Sequence, residues 1–275
     1  MSSEISSPWA AQIRGVVLVE GPDAEVFLQS QLSQDVASLG DGRGAWSFIL
    51  QPEGRLGQLL RVTRQDDDGW ILLPPVGGEE ALRARLKRFA IRVKVSFSET
   101  QRWHGLCRFG TALPSDGIEI PSVLILVGGS EFLSPEEPVL QGPRAPYGEA
   151  LHWHASIPAV DDGDVGDDAI PSELGEAAMN RAVSFTKGCY PGQELVARLD
   201  ARSALPPRPL VGLESRHDIV VGSPIEADGD VVGHVLSACA PANSRVWRAI
   251  GVVKRSAYGS ALKISGEPVA VISLV

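Results

Sequence analysis

Cysteine is scarce in this chain of 275 residues: Cys107, Cys189 and Cys239 are the whole set. They are odd in number, far apart and form no CxxC pair. A disulfide framework and a closed zinc site are therefore not expected, and so few cysteines in so long a chain suit a reducing compartment. Long apolar runs are also missing. No stretch approaches the roughly 18 apolar residues that span a bilayer, and the polar Met1 to Pro8 has no apolar segment of a secretory signal. The expectation is a cytoplasmic protein without a membrane partner. An excess of positive charge is lacking too: 34 acidic against 25 basic residues leave a formal net charge of -9. Binding of nucleic acid through its phosphates needs a basic face, so the balance argues against direct nucleic-acid binding. The densest basic cluster (Arg83, Arg85, Lys87, Arg88, Arg92 and Lys94) reads first as the solvated C-terminal end of a helix, where cations are favoured. No internal repeat or low-complexity tract interrupts the chain.

What is present is an ordinary globular composition, 44% hydrophobic and 21% charged, long enough for more than one compact unit. Val16 to Val19 reads as a strand within Gly15 to Glu20. Pro22 opens a helix whose Leu28, Leu32, Val36 and Leu39 recur at helical spacing as far as Gly40. Trp46 to Leu50, Leu56 to Thr63 and Trp70 to Leu73 are strand candidates joined by turns. A second helix is expected over Glu79 to Phe89, with acids at its start and cations at its end. Ile91, Val93, Val95 and Phe97 alternate as in a strand. Between Leu113 and Gly148 only Val123 to Val127 has strand character. Asp161 to Asp168 holds five aspartates in eight residues but lacks the glutamate that closes an EF-hand loop, so it reads as an exposed loop and no metal site is expected. Leu205-Pro206-Pro207-Arg208-Pro209 is a linker. Short strands follow at Leu210 to Glu214, Ser223 to Ala227, Val231 to Ala238, Ala249 to Lys254 and Val269 to Leu274, with Asp228-Gly229 as a hairpin signal. The pattern predicts an α+β module over residues 1–204 and a small β-barrel over 205–275.

The chemistry-bearing segment is Thr186 to Leu199. Gly188 and Gly192 bracket Cys189-Tyr190-Pro191 as a shaped loop. Pro191 is placed to begin a helix with Leu195, Val196 and Leu199 as its buried stripe. Cys189 would then precede a helix N-terminus, with Lys187 two residues away, and both features stabilise a thiolate. A small buried hydrophobe is the other reading of Cys189, and local physics does not decide between them.

The string Lys187-Gly188-Cys189-Tyr190-Pro191-Gly192-Gln193-Glu194, continued by Val196-Ala197-Arg198, resembles the signature of YgfZ-type folate-binding proteins in the T-protein (aminomethyltransferase-like, GcvT) superfamily. Other pieces follow in family order. Gly21 to Ala24 with Phe27-Leu28-Gln29 is similar to "G-x-D-A…F-L-Q", Gln31 to Val36 stands where the family has "L-T-N-D-V", Pro52 to Arg55 matches "P-x-G-R/K", and Pro171-Ser172-Glu173 matches "P-x-E". The resemblance implies a ring-like aminomethyltransferase/YgfZ folate-binding fold with a C-terminal barrel, the α+β module having subdomains at about 1–50 plus 116–204 and at 51–115. It also implies a factor that binds tetrahydrofolate or a derivative and supports assembly or repair of iron–sulfur proteins, with iron–sulfur client or assembly proteins as partners. An effect on tRNA-modifying enzymes would follow indirectly, since those enzymes often carry clusters. Cys189 would be the functional thiol and Lys187 would tune it. Gly188, Tyr190, Gly192, Gln193, Glu194, Arg198, Glu173 and His154 would shape or line the cofactor cavity. Departures from the pattern matter. Gln58 and Leu59 occupy the positions of the strand aspartates of true aminomethyltransferases, and neither side chain can exchange a proton as a carboxylate does. Within Leu151 to Pro158, His154 and Ser156 replace the glutamate and glycine of the pterin-binding segment. Ala201 to Arg208 keeps only part of the family's basic run. An active aminomethyltransferase is therefore not expected. The rival reading is a folate-dependent one-carbon transferase or demethylase, with Glu173 as its carboxylate.

Overall fold

The structure is a computed structural model that describes residues 9–108, 118–121, 130–137, 169–202, 205–239 and 246–272. Strand β1 covers Trp9–Glu20, six residues longer at its start than the apolar run predicts. The extra length comes from pairing on both edges: Val17 to Glu20 bond β4 (Gly69–Leu73), and Trp9 to Val16 bond β6 (Gln101–Arg108). Tertiary pairing overrides the weak β character of the Ala-Ala-Gln start. With β2 (Gly44–Leu50), β3 (Leu56–Arg64), β7 (Ile118–Pro121) and β8 (Ser130–Ser134), these strands form one sheet in the order β2-β3-β4-β1-β6-β8-β7. β2 and β3 are antiparallel, hydrogen-bonded neighbours. The two ends of the strand order come together. Arg61 on β3 donates to the Pro121 carbonyl on β7 at 2.9 Å and pairs with Glu131 on β8 at 3.1 Å, both side chains being almost fully buried.

Helix α1 spans Ala24–Gln31, and the helical apolar spacing beyond it is misleading. The helix stops at Leu32, and a 3-10 turn resumes at Val36–Ser38. Hydrogen bonds outside the helical ladder enforce the break. The Ser33 amide donates to the Phe48 carbonyl, and the Gln29 side-chain oxygen accepts from the Val36 and Ala37 amides. Leu28, Leu32 and Val36 are nevertheless all fully buried in one cluster. Helix α2 spans Glu79–Phe89 as expected, burying Leu82 and Leu86. The alternation from Ile91 to Phe97 yields only a two-residue strand, β5 (Ser96–Phe97), against β1. Val93, Val95 and Phe97 do pack on the α1 core, but Arg92 takes a left-handed φ of 61° that no strand accepts. The strand expected at Val123 to Val127 lies outside the described residues, as do most of Leu113 to Gly148 and the aspartate-rich loop. β6, β7 and β8 were not foreseen. Neither were a 3-10 turn at Pro171–Leu174 and helix α3 at Glu176–Ala182.

The C-terminal strands form a closed barrel: β9 (Leu210–Ser215), β10 (Pro224–Ala227), β11 (Asp230–Cys239), β12 (Trp247–Val253), β13 (Leu262–Ile264) and β14 (Glu267–Ile272). Their order is β10-β11-β12-β9-β14-β13, and β13 bonds back to β10. Asp228 and Gly229 take positive φ of 52° and 89°, the two-residue hairpin turn that their sequence signals. β13 is the one barrel strand that sequence reading missed. The α+β architecture with a C-terminal barrel is thus the fold. Leu210, Leu236, Ile250 and Val252 of the barrel share a core with Trp46, Ala178, Tyr190 and Val196, so barrel and sheet module pack together beneath the Cys189 segment.

Candidate functional site

After α3 the chain runs from Val183 to Tyr190 without regular structure, turns at Pro191-Gly192 and enters helix α4 at Gln193–Arg202. The helix starts two residues later than Pro191 predicts. Gly192 holds a left-handed φ of 79°, outside the helical region, and the Gln193 amide closes a turn on the Tyr190 carbonyl at 3.3 Å. Cys189 is therefore not next to the helix N-terminus. It is exposed, which removes its reading as a buried hydrophobe. Cys239 is that kind of cysteine: it is buried in the barrel, and burial pushes its thiol up. Gly188 beside Cys189 is open, since a Cβ placed there would meet nothing within 4 Å.

Residues on either side of Cys189 anchor the loop. Lys187 Nζ donates to the carbonyls of Gln29 at 2.6 Å, Leu32 at 2.6 Å and Gln34 at 2.9 Å. An ammonium has three donors, and here they go to the last turn of α1 at Gln29, to its C-cap Leu32 and to Gln34 just beyond the helix. The same ammonium lies 5.4 Å from the centre of the Tyr190 ring. Burial pulls the Lys187 amine down to about 8, against the opposing pull of Asp35. Tyr190 is buried, and that burial pushes its phenol up to about 12, so it stays neutral at any physiological pH. Lys187 is thus placed as a clasp that fixes the loop; its donors face carbonyls in and just after α1.

At the other end the anchor is shape. A Cβ on Gly192 would lie 2.7 Å from the Gln51 carbonyl oxygen and 2.9 Å from the Gly54 Cα. Gly54, with φ 84°, leaves no more room: its Cβ would lie 2.5 Å from that of Leu195. The Gln51-to-Gly54 turn therefore docks glycine to glycine on the start of α4. Arg85 of α2 donates to the carbonyl of Leu50, the residue just before this turn.

The remaining candidates are less concentrated. Gln193 opens α4. Glu194 and Arg198 pair one helical turn apart at 2.6 Å on an exposed face. Glu173 is buried, but its carboxylate accepts both Arg208 Nε at 3.1 Å and Arg208 Nη2 at 3.0 Å. It ties the Pro171 turn to the linker before the barrel, which leaves it poorly placed to receive a pterin. His154 lies outside the described residues, as does His152. Gln58 donates to the Gly78 carbonyl at 3.0 Å and Leu59 is core, so the two positions of the family's strand aspartates are structural. The described candidates thus do not by themselves present a pterin-binding carboxylate.

Sequence reading missed the receiving side of the clasp. Ser33 Oγ donates to the Ala182 carbonyl at 2.6 Å and accepts the Phe48 amide at 2.8 Å. Gln34 Nε2 donates to the Arg181 carbonyl at 2.7 Å, and Gln29 Nε2 donates to Asp35 Oδ1 at 2.8 Å. These residues overlap the Gln31-to-Val36 match to the family. That match was the available signal, although nothing local reveals its partners.

No family model matches the chain. In sequence it is 29% identical over 217 residues to an uncharacterized protein of Haemophilus influenzae, covering 77% of this chain and 75% of that protein. It is 26% identical to the tRNA-modifying protein YgfZ of Klebsiella pneumoniae and 27% identical to that of Escherichia coli O157:H7, covering 68% of this chain and 65% of each relative. The match thus spans just under two thirds of these YgfZ proteins. In structure it is similar to the glycine cleavage system aminomethyltransferase T of Bartonella henselae, with a TM-score of 0.73, 18% identity, and coverage of 97% of this chain and 85% of that one.

Proposed function

From a chain that resembles the YgfZ-type proteins in sequence and has the aminomethyltransferase fold, we propose a folate-binding factor that supports assembly or repair of iron–sulfur proteins, with Cys189 as its functional thiol. The observation that carries this reading is the presentation of Cys189: an exposed thiol on a loop fastened by Lys187 on one side and by Tyr190 and Gly192 on the other. Such a thiol is available to a partner protein while its backbone is held, which is what transient thiol chemistry on a client requires. One thiolate does not hold a cluster, which usually needs about four, so the cluster belongs to the client. Lys187 acts as a positioning residue. Gly188 leaves the approach to the thiol open, and Gln193, Glu194 and Arg198 lie on the flanking helix. Tetrahydrofolate or a derivative is the cofactor that the resemblance and the fold favour, and no step is assigned to it. We place the domain boundary between residues 204 and 205 and the protein in the cytoplasm; no helix among the described residues is long and apolar enough to cross a membrane. The names of the YgfZ relatives support an effect on tRNA modification, which fits enzymes that depend on clusters.

The rival one-carbon transferase finds less support, since Glu173, its intended carboxylate, is engaged by Arg208. Two experiments test the proposal. In a strain lacking this gene, wild type restores iron–sulfur enzyme activity and Cys189→Ala does not; full restoration by Cys189→Ala overturns the thiol role. In calorimetric titration with tetrahydrofolate and its 5-formyl analogue, micromolar binding is expected, and no binding at millimolar ligand removes folate from the reading.

A further inference from the structure

The end of α2 and the turn after it carry an uncompensated surface. From Ala81 to Ser98 there is no aspartate or glutamate, in a chain whose net charge is -9. Arg83 is paired with Glu80 and Glu99. Lys87, Arg88, Arg92 and Lys94 are exposed, and no described carboxylate forms an ion pair with any of them. Lys94 meets an acid through its backbone, its amide donating to Asp23 Oδ2 at 2.8 Å. Arg85 lies over the Phe89 ring at 5.5 Å, and burial together with the neighbouring Arg88 pulls its guanidinium below the usual arginine value. Like charges three residues apart on a helix disfavour each other, and the helix dipole offsets only part of this.

Apolar groups stand among these charges. Phe89 is 42% exposed, and Ile91, at 74%, is the most exposed large hydrophobic residue among those described. The left-handed Arg92 follows Ile91 directly, a strained conformation for a side-chain-bearing residue and one that marks ligand clamps and binding turns. A merely solvated helix end requires the cations; it does not require an exposed isoleucine at a strained turn. The surface is also joined to the candidate site, because Arg85 holds the Leu50 carbonyl and a Cβ on Gly192 would lie 2.9 Å from the Leu50 Cβ.

We infer that Lys87, Arg88, Phe89, Ile91, Arg92 and Lys94 form a docking surface for a partner protein that presents carboxylates around an apolar side chain. The charge complement selects an anionic partner, and the exposed Ile91 and Phe89 select one with an apolar residue to bury. Nucleic acid is the poorer match, since the remainder of the chain repels a polyphosphate. The surface stands whether or not Cys189 acts as proposed.

The test is fluorescence anisotropy with the full chain carrying Cys189→Ser, so that failure of the thiol reading cannot affect the result. The probes are a short labelled peptide alternating glutamate with leucine, an oligoglutamate of equal charge and a single-stranded oligouridylate. The glutamate–leucine peptide is expected to bind about ten-fold tighter than oligoglutamate and to weaken as salt rises. The variant Lys87→Glu/Arg88→Glu/Arg92→Glu, altered only at exposed positions, is expected to lose binding while keeping the circular-dichroism spectrum of the folded chain, and Ile91→Ser to lose the preference for leucine. Absence of peptide binding, tighter binding of oligouridylate, or peptide binding unchanged by the charge-reversed variant overturns the assignment.

Discussion

The two ends of the Cys189 loop are fastened by opposite kinds of physics. At Lys187 the anchor is polar: one ammonium satisfies three carbonyls and pays for it in desolvation. At Gly192 the anchor is steric: two glycines approach so closely that neither has room for a methyl group. A polar anchor can be weakened by degrees, through pH or a substituted head group. A steric one admits its residue or excludes it.

The largest expected effect is therefore at the steric end. Gly192→Val must clear backbone atoms of Gln51 and Gly54 and adopt a left-handed φ, so a loss of about 3 kcal/mol or more is expected in denaturant unfolding. A loss near zero would show that the turn moves aside freely. Next comes Lys187→Met, which leaves carbonyls at the end of α1 without their donor and should cost about 2 kcal/mol. Lys187→Arg should recover only part of this, because a planar fork does not reproduce three converging donors. Third is a pH signature. The folded Lys187 amine titrates at about 8, below the value of about 10.4 for free lysine. Between those values the unfolded chain retains a proton that the folded chain has released, so this group makes stability rise with pH. Wild type should gain on Lys187→Met through that window and run parallel to it at lower pH; parallel curves throughout would mean that the amine is not buried. The smallest effect belongs to Glu194→Gln. Its partner Arg198 is exposed, and the change should stay within about 0.5 kcal/mol and vanish in high salt, despite the short 2.6 Å contact.

The same contrast explains what the sequence could disclose. α2 was readable because its acids, cations and apolar stripe all lie within eleven residues. The barrel hairpin at Asp228-Gly229 was readable because its turn demands those residue types. The α1 break was hidden, because the apolar spacing continues through it while hydrogen bonds from β2 and the Gln29 side chain end the helix. In the Ile91-to-Phe97 alternation Val93, Val95 and Phe97 pack on the α1 core, only Ser96 and Phe97 pair with β1, and Ile91 is exposed. In the candidate site, the loop glycines and the exposed cysteine belonged to a recognisable string. The tasks of Lys187 and Glu173 did not, since their partners lie at least 153 and 35 residues away in the chain.

That separation has a consequence for the order of assembly during synthesis. α1 leaves the ribosome with carbonyls that its own helix cannot satisfy, and Lys187 follows Leu32 by 155 residues. At ordinary elongation rates the interval is on the order of 10 s, during which these carbonyls lack the Lys187 donor. The Cys189 loop thus closes on an amino-terminal half that has already emerged, but the core beneath it is complete only when the barrel residues Leu210, Leu236, Ile250 and Val252 have followed.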